Sequence, residues 1–390
     1  MRFADFTLSA GPTESSARTQ AAMGMPMCYH YDPAFLEQFR ETQEKVRAVF
    51  KTSRDVILMQ GEAVLGLEAA WRAVVRPGMA CLNLNSGIFG KLYGDWLRMS
   101  EGIVHEITVG WDDAIDPAQV DDYLNDHPEI EMVAVVYSET PSGTLNSVDR
   151  IGPVAKKHGC ITIVDCVSAL GGMPFEPDAW QLDLCVAGAQ KCLSGPPGIS
   201  LMTVSDDAWE LIAKNPTAPR CSFMSLLDWK DQWLAHGKFP FTPSVSDIRG
   251  VQAACDQLLE EGHEHSFARH RVAAEACRTG VRAMGLELWP KSDAVSSTCT
   301  TAIRLPEGLT DLQVRAHVRD RYGVMISGSQ GAGPLVRIGH MGETARSLYP
   351  VVGLAALGRG LADLGVPVDV GAGVTAAMEV YGNAAPGAAV

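Results

Sequence analysis

Short apolar runs alternate with amphipathic stretches along most of the chain. The runs are rich in Val, Ile and Leu and are flanked by Gly, Pro or polar residues, which is typical of strands. The stretches between them carry apolar residues three and four positions apart, which is typical of helices. Strands buried on both faces read as continuous apolar runs, so the alternation predicts an α/β fold in which helices cover both faces of a mostly parallel sheet. The predicted strands are 56–59, 80–84, 103–108, 132–137, 161–164, 184–187 and 199–204, and the predicted helices between them include 65–75, 89–99, 117–125 and 151–157.

The pattern changes after residue 246, and the chain of 390 residues is longer than a single hydrophobic core usually supports. We therefore predict an N-terminal arm at 1–20, a large domain with the seven-stranded sheet at 21–246 and a smaller C-terminal α/β domain at 247–390. Residues 382–390 are expected to form a loose tail. The elements predicted for the smaller domain are a long helical stretch at 247–284, strands at 300–305 and 335–338, and helices at 312–322 and near 348–364.

Composition narrows the possible partners. No apolar stretch reaches the ~18 residues that a membrane span needs, and the N-terminus lacks the apolar core of a secretory signal. The formal charge of -14 argues against nucleic acid and anionic membranes as partners. The ten cysteines show neither a CxxC pair nor a metal-ligand spacing. They indicate reduced core residues of a cytoplasmic protein, and no metal site is predicted.

Two polar residues follow predicted strands where chemistry is expected. Asp165 ends the apolar run ITIVD, and Lys191 follows the run at 184–187 within AGAQKCLSGPPG. Ligands in such sheets bind beyond the carboxyl ends of the strands. A lysine amine there can condense with the aldehyde of a pyridoxal compound, while a buried carboxylate keeps the pyridine nitrogen protonated. The alternatives are a surface cation for Lys191 and a helix N-cap for Asp165.

Further motifs carry a resemblance that covers nearly the whole chain. The sequence resembles the class V aminotransferases among the fold type I pyridoxal phosphate enzymes. That resemblance implies a transaminase acting on small molecules, and a homodimer or dimer of dimers with active sites between subunits. The motifs, in chain order, are LSAGPT, GLEAA, NSGIFG, ETPSGTLN, VDCVSALGG, AQKCLSGPPG, TPSVS and RIGHMG.

The resemblance also implies roles for individual residues. Lys191 would form the Schiff base and move the proton, and Asp165 would pair with the pyridine nitrogen. Phe89 would stack on one face of the ring and Val167 would cover the other. Thr140 matches a family hydroxyl that binds the ring 3'-oxygen; its alternative is an ordinary turn residue.

Glu62 departs from the family pattern. Relatives place a small hydroxyl residue at this helix start, where open backbone N–H groups and the helix dipole hold the cofactor phosphate. A carboxylate about 4 Å from a phosphate charge repels it by roughly 4 kcal/mol at an effective dielectric near 20. Phe239 likewise replaces a tyrosine that relatives commonly present. Two observations favour the interpretation that the site does bind a phosphate. Gln190 and Thr242 are retained near the phosphate position, and Glu62 can be an exposed first-turn residue.

Arg337 lies in LVRIGHMG, where the family's arginine binds the carboxylate of the amino or oxo acid. A structural salt bridge is the alternative. The loop at 327–333 carries no arginine, whereas relatives have a second basic residue near it.

The combined prediction is a transaminase that moves an amino group from pyridoxamine to pyruvate and gives pyridoxal and L-alanine. The vitamin B6 compound, pyridoxal or pyridoxamine, would then be a substrate, with no cofactor tightly bound. The alternative is a conventional alanine-glyoxylate or serine-pyruvate type transaminase that uses pyridoxal 5'-phosphate.

Overall fold

The computed structural model describes residues 3–384. The strands are β1 (Phe6–Leu8), β2 (Asp55–Gln60), β3 (Ala80–Asn85), β4 (Ile103–Thr108), β5 (Met132–Val136), β6 (Ser138–Glu139), β7 (Thr144–Leu145), β8 (Ile161–Asp165), β9 (Leu184–Gly188), β10 (Ile199–Val204), β11 (Thr300–Arg304), β12 (Val324–Gly328) and β13 (Leu335–Gly339). The helices are α1 (Ala17–Met23), α2 (Pro33–Phe50), α3 (Ala63–Val74), α4 (Ile88–Met99), α5 (Pro117–Asp126), α6 (Val148–Lys157), α7 (Asp206–Lys214), α8 (Leu226–Asp228), α9 (Val245–Glu261), α10 (His263–Ala283), α11 (Asp311–Tyr322), α12 (Tyr349–Asp363) and α13 (Val370–Asn383). A π-helical turn (Trp229–Leu234) and two 3-10 turns (Asp293–Val295 and Gly342–Ala345) complete the elements.

The large sheet has seven strands in the order β2-β10-β9-β8-β5-β3-β4. All neighbouring pairs are parallel except those of β10, which runs antiparallel to both β2 and β9. Every residue of β3, β5, β9 and β10 is buried, as their continuous apolar runs require. The predicted mostly parallel seven-stranded sheet is confirmed, and its parallel strands bring the ends of β8 and β9 to one edge.

A second sheet has the order β1-β12-β13-β11. Strand β1 pairs in parallel with β12, so residues 6–8 belong to a sheet whose other strands lie beyond residue 299. A separate core contains Leu8, Ile303, Ile326, Ile338 and Leu357. The division of the chain at residues 20 and 246 stays a prediction; Val251 and Leu258 of α9 contribute to the core of the large sheet.

The structure differs from the predicted elements at several points. The stretch at 247–284 forms two helices, because Gly262 adopts φ 85° at the end of α9 and stops the helical hydrogen bonding there. Strand β12 occupies part of the segment predicted as a loop at 327–333. Of the predicted tail, residues 382 and 383 end α13, and 385–390 lie outside the described residues.

None of the helices in the described part of the chain is long and apolar enough to cross a membrane. The predicted cytoplasmic location and the expected absence of nucleic acid and membrane partners stay predictions.

Candidate active site

Lys191 lies in the turn that follows β9, and its side chain passes along the N-terminal segment. Lys191 Nζ donates a hydrogen bond to the Ala10 carbonyl at 2.9 Å. A Cβ atom on Gly11 would lie 2.3 Å from Nζ, so only glycine leaves room for the lysine, and the φ of 102° also favours glycine. Burial, followed by the nearby charge of Arg337, lowers the pKa of Lys191 to about 8. The lysine therefore carries far more neutral amine at neutral pH than a solvated lysine.

Asp165 is the last residue of β8 and is only 5% exposed. Its Oδ2 accepts a hydrogen bond from the Tyr93 hydroxyl at 2.5 Å, and its Oδ1 accepts one from the Val167 backbone N–H at 2.8 Å. Burial raises its pKa to about 6, against the opposing effects of these two donors and the charge of Lys191. The contact with the Val167 N–H resembles that of a helix N-cap. Residues 167–169 form turns and no helix follows them, so Asp165 does not cap a helix.

Phe89 and Val167 lie on elements that flank Asp165. Phe89 is half-buried near the start of α4, and Val167 is buried after β8. The backbone N–H groups of Phe89 and Gly90 donate to the carboxylate of Glu139 at 3.2 and 2.7 Å. A Cβ atom on Gly87 would lie within 2.6 Å of Glu139 side-chain atoms, so glycine is required for this approach. Glu139 thereby fixes the N-terminus of α4.

Thr140, Ser168 and Arg337 form a connected group. The hydroxyls of Thr140 and Ser168 are hydrogen-bonded to each other. Arg337 donates from Nη1 to the Thr140 carbonyl and from Nε to the Gly328 carbonyl, each at 2.8 Å. Arg337 is 3% exposed, and burial lowers its pKa to about 10. Among residues 3–384 no carboxylate forms a salt bridge with it, so the structural ion pair is absent and a buried cation is available for an anionic ligand.

A basic side chain does lie against the loop at 327–333, but it comes from α11. A Cβ atom on Gly328 would meet Arg315 Nε at 2.7 Å. This Nε is buried without a hydrogen-bond partner, and Arg315 Nη2 lies 3.5 Å from Asp311 Oδ2. Because Arg315 is distant in sequence from the loop, no local motif could have indicated this contact.

Glu62 is the N-cap of α3. Its Oε2 accepts a hydrogen bond from the Val64 N–H at 2.8 Å, and its Oε1 accepts one from Gln190 Nε2 at 2.6 Å. Gln190 is buried, and its Oε1 has no hydrogen-bond partner. The Glu62 carboxylate thus binds a backbone N–H at the start of α3, as expected if it disfavours a phosphate there. Glu62 is also exposed, as expected if it is an ordinary first-turn residue.

Within residues 3–384, no hydrogen bond joins Thr242 to these residues. It is exposed and lines a pocket together with Gln60 at the end of β2. Phe239 is buried in an aromatic cluster, stacked on Trp233 at 4.3 Å between ring centroids and edge-on to Phe39 at 4.9 Å. Apart from Thr242, the predicted site residues therefore contact one another or lie on neighbouring elements of the structure.

Four contacting groups escaped the sequence interpretation, although most lie within motifs already identified. Glu139 begins ETPSGTLN and Ser168 lies in VDCVSALGG. Tyr93 is four residues after Phe89 on one predicted helix, a spacing that places both on the same face. Gly11 lies in LSAGPT, where the close approach of the lysine is invisible in the sequence.

Two groups of side chains have metal-ligand chemistry, and the expectation of no metal stays a prediction. In the buried group both ring nitrogens of His270 are engaged, with the Ser266 carbonyl at 2.7 Å and the Gly342 N–H at 3.0 Å. The groups are Cys192, His270 and Cys299, and His105, His127 and Glu129.

Comparison with known proteins gives consistent matches. Residues 14–352 match the family model described as aminotransferase class V. The chain is 43% identical to pyridoxamine-pyruvate transaminase of Mesorhizobium japonicum, over 96% of each chain. It is 31% identical to L-aspartate-glyoxylate aminotransferase of Paracoccus denitrificans, over 95% of this chain and 94% of the relative. The crystal structure of pyridoxamine-pyruvate aminotransferase from Mesorhizobium loti superposes with a TM-score of 0.96 at 42% identity, covering 98% of both chains.

These matches correct one expectation. The prediction that no cofactor is tightly bound is wrong, because class V aminotransferases use pyridoxal 5'-phosphate as a bound cofactor and the family match extends over most of the chain. The alternative, pyridoxal 5'-phosphate, fits. The residues that would contact the pyridine ring of this cofactor fit it. The half-buried Lys191 and the buried Asp165 are close enough to influence each other's pKa.

Proposed function

The chain belongs to the class V aminotransferase family, and we propose that within it the protein transfers an amino group from pyridoxamine to pyruvate, giving pyridoxal and L-alanine. The observation that carries this choice is the Glu62 carboxylate, which caps the N-terminus of α3 and accepts a hydrogen bond from Gln190. Pyridoxamine has the same ring as the aminated form of the family cofactor but lacks the phosphate. One pocket can therefore recognise both rings, and Glu62 acts where they differ.

The roles of the reacting side chains follow from their surroundings. Bound pyridoxamine would supply the amino group, which condenses with the keto carbon of pyruvate and releases water, and a π-system that delocalises electrons. As a neutral amine, which burial favours, Lys191 would move the proton from the amine-bearing carbon of the ring to the former keto carbon of the substrate. Its amine would then displace L-alanine, and water would release pyridoxal and restore the free lysine. Asp165 holds the pyridine nitrogen protonated. Arg337 binds the carboxylate of pyruvate, since its hydrogen bonds within residues 3–384 go to carbonyl oxygens.

Three further side chains would hold the ring in place. Phe89 would stack on one face, and Val167 would cover the other. Thr140 would bind the 3'-oxygen through its hydroxyl, which is hydrogen-bonded to Ser168. These contacts fix the orientation of the ring relative to Lys191, and orientation determines which bond at the substrate carbon reacts.

The proposed function is tested by incubating the purified protein with pyridoxamine and pyruvate. We expect pyridoxal and L-alanine to form in equal amounts, measured by absorbance and by chromatography. The same assay with pyridoxamine 5'-phosphate in place of pyridoxamine compares the two amino donors, and a lower kcat/KM for the phosphorylated one would show that Glu62 disfavours the phosphate. The absence of pyridoxal formation from pyridoxamine and pyruvate would contradict the proposal.

A conventional transaminase that uses pyridoxal 5'-phosphate is the second candidate. The retained Gln190 and the exposed position of Glu62 favour it. In that case alanine and glyoxylate, or serine and pyruvate, would react at a higher kcat/KM than pyridoxamine and pyruvate. The same assay therefore separates the two candidates.

Glu62→Ser tests the residue on which the choice depends. Serine removes the carboxylate and keeps a good N-cap, so the helix start should accept phosphate more readily. We expect pyridoxal 5'-phosphate to gain at least tenfold in affinity relative to pyridoxal, about 1.4 kcal/mol. The ratio of the two dissociation constants, measured by absorbance titration, separates this effect from a general loosening of the fold.

Glu62→Asp is the matched control, because it keeps both the charge and the capping ability. Its ratio should stay near that of the unmodified protein. An unchanged ratio in Glu62→Ser would mean that Glu62 faces solvent, and the conventional transaminase would become the better candidate.

We also propose a homodimer, or a dimer of dimers, in which a second copy covers an apolar surface near Thr242. Exposed apolar side chains cluster in the segment at 25–31, with Met27 71% and Tyr29 67% exposed. Tyr31 of this segment contacts Phe239, whose neighbour in sequence, Phe241, is exposed and stacks on Phe223. Apolar groups this exposed are typical of a protein interface. Such a dimer would also give the exposed Thr242 a role at the site of the partner.

A further inference from the structure

Below the candidate site, three buried ionisable side chains lie together where α4 meets the ends of β6 and β8. Tyr93 and Glu139 are 0% exposed, and Asp165 is 5% exposed. The ring of Tyr93 is held between Trp71 and Trp96, at 5.2 and 5.6 Å between centroids. Its hydroxyl therefore has little freedom to leave Asp165.

The two carboxylates of this group cannot both carry a charge without cost. Burial raises the pKa of Glu139 to about 8 against the hydrogen bonds from the Gly90 and Phe89 backbone N–H groups, and the charge of Asp165 raises it further. The pKa of Asp165 is the lower of the two, so Asp165 is the first of the pair to ionise. This assignment suits a site in which Asp165 must face a protonated ring nitrogen.

The charge on Asp165 is itself opposed by burial and depends on a few neighbouring groups. The hydrogen bonds from Tyr93 and Val167 and the cation of Lys191 favour it, while the carboxylate of Glu62 opposes it. The contribution of Lys191 disappears whenever its amine is neutral, and the proposed reaction requires a neutral amine. Tyr93 and the Val167 backbone N–H then remain.

Tyr93 can only act as a hydrogen-bond donor here. Burial raises the pKa of its phenol well above the usual value, and the neighbouring Asp165 raises it further. Its hydroxyl holds Oδ2 at 2.5 Å while the Val167 N–H holds Oδ1 at 2.8 Å, so both oxygens are fixed in position. Each carboxylate oxygen keeps a second lone pair for a ligand.

We propose that Tyr93 is a positioning residue of this site, whose hydroxyl keeps the Asp165 carboxylate charged and orients it toward the nitrogen of a bound pyridine ring. The proposal rests on the proposed function in one respect, the pairing of Asp165 with that nitrogen. Tyr93 lies one helical turn after Phe89 on α4, and Glu139 anchors that helix at Phe89 and Gly90. Helix α4 thus connects the ring-stacking side chain with the group that fixes the aspartate.

The test measures binding to the full-length protein freed of vitamin B6 compounds by dialysis against hydroxylamine. Affinities for pyridoxal and for deazapyridoxal, in which carbon replaces the ring nitrogen, are compared by absorbance. The unmodified protein should prefer pyridoxal, and this preference should fall as the pH drops through about 6, where Asp165 becomes protonated. In Tyr93→Phe the pH midpoint should rise by about one unit, so the preference should fall about twofold at pH 7 and about fivefold at pH 6.

Tyr137→Phe is the matched control. It removes a second buried tyrosine hydroxyl, which donates to the Pro174 carbonyl at 3.0 Å and not to Asp165. The preference of this variant for pyridoxal over deazapyridoxal, and the pH midpoint of that preference, should equal those of the unmodified protein. If Tyr93→Phe does not fold, 3-fluorotyrosine at position 93 gives a nearly isosteric and stronger donor, and the midpoint should then move to lower pH.

The outcomes separate the two proposals. A midpoint that is unchanged in Tyr93→Phe and in the fluorotyrosine protein would overturn the role of Tyr93 and leave the proposed function intact. An unmodified protein that does not distinguish pyridoxal from deazapyridoxal would overturn the pairing of Asp165 with the ring nitrogen, and the role of Tyr93 with it. Failure with pyruvate alone would count against the proposed substrate and not against Tyr93.

Discussion

Lys191→Ala is expected to lower transamination by more than a thousandfold. The variant loses both the nucleophile that condenses with the aldehyde and the base that moves the proton, and a positioned proton-transfer group alone typically contributes ~10²- to 10⁴-fold. The described neighbours provide no second amine at this position, since Lys191 lies against Ala10 and Gly11. Single-turnover kinetics with pyridoxamine and pyruvate measure the loss.

Two controls show whether the loss is chemical. Lys191→Arg keeps a cation of similar size but cannot condense with an aldehyde, so it should be equally inactive. Added methylamine should partly restore Lys191→Ala, whose cavity admits a small amine, and should not restore Lys191→Arg. More than about a thousandth of the original activity in Lys191→Ala would mean that another group performs the reaction.

The pKa of Lys191 also predicts a pH dependence for the unmodified protein. The amine reacts in its neutral form, and its pKa is lowered to about 8. The rate of condensation with pyridoxal should therefore rise with pH and level off above about 8. A pKa near the usual value for lysine would place the plateau about two units higher.

Arg337→Leu is expected to lower kcat/KM for pyruvate by about 30-fold or more. The arginine is buried, and in the described part of the chain its partners are carbonyl oxygens, so a substrate carboxylate would be its ionic partner. Losing one member of a buried, hydrogen-bonded charge pair costs about 2–5 kcal/mol. Steady-state kinetics with pyruvate as the varied substrate measure the effect, and Arg337→Lys, which keeps the charge but loses the fork, should show a smaller loss.

Pyridoxal binding separates the role of Arg337 in substrate binding from a structural role. Above pH 9 the affinity of the Arg337→Leu variant for pyridoxal should stay within about threefold of that of the unmodified protein. The reason is that Arg337 is proposed to contact the carboxylate of the acid and not the pyridoxal ring. At neutral pH the variant should bind pyridoxal more slowly, since the charge of Arg337 helps to lower the pKa of Lys191. Unchanged kinetic constants for pyruvate would assign Arg337 a structural role.

The sequence predicted Lys191 and Asp165 as neighbours because a general rule places them together. Both follow strands of one parallel sheet, and the carboxyl ends of such strands meet at one edge. Motif resemblance added Arg337 and Glu62. The partners of these residues were not predictable in the same way, because the Tyr93 hydroxyl reaches Asp165 only through the packing of α4 on the sheet.

The elements that escaped prediction lack a local signal. Strand β1 has three residues and is defined by its pairing with residues 324–326, so its own sequence shows no alternation to detect. The interruption at Gly262 was hidden because single glycines also occur inside helices. Thr242 was assigned by resemblance, but the structure places it at an exposed position.

The pairing of β1 with β12 has a consequence for how the protein is made. The segment that contacts Lys191 leaves the ribosome more than 300 residues before the strand partner of β1. The large sheet can form early, whereas the surroundings of the lysine are complete only after a contact between residues more than 300 positions apart has closed. In a nascent chain the large sheet would therefore be folded before Lys191 has the surroundings that it needs to react.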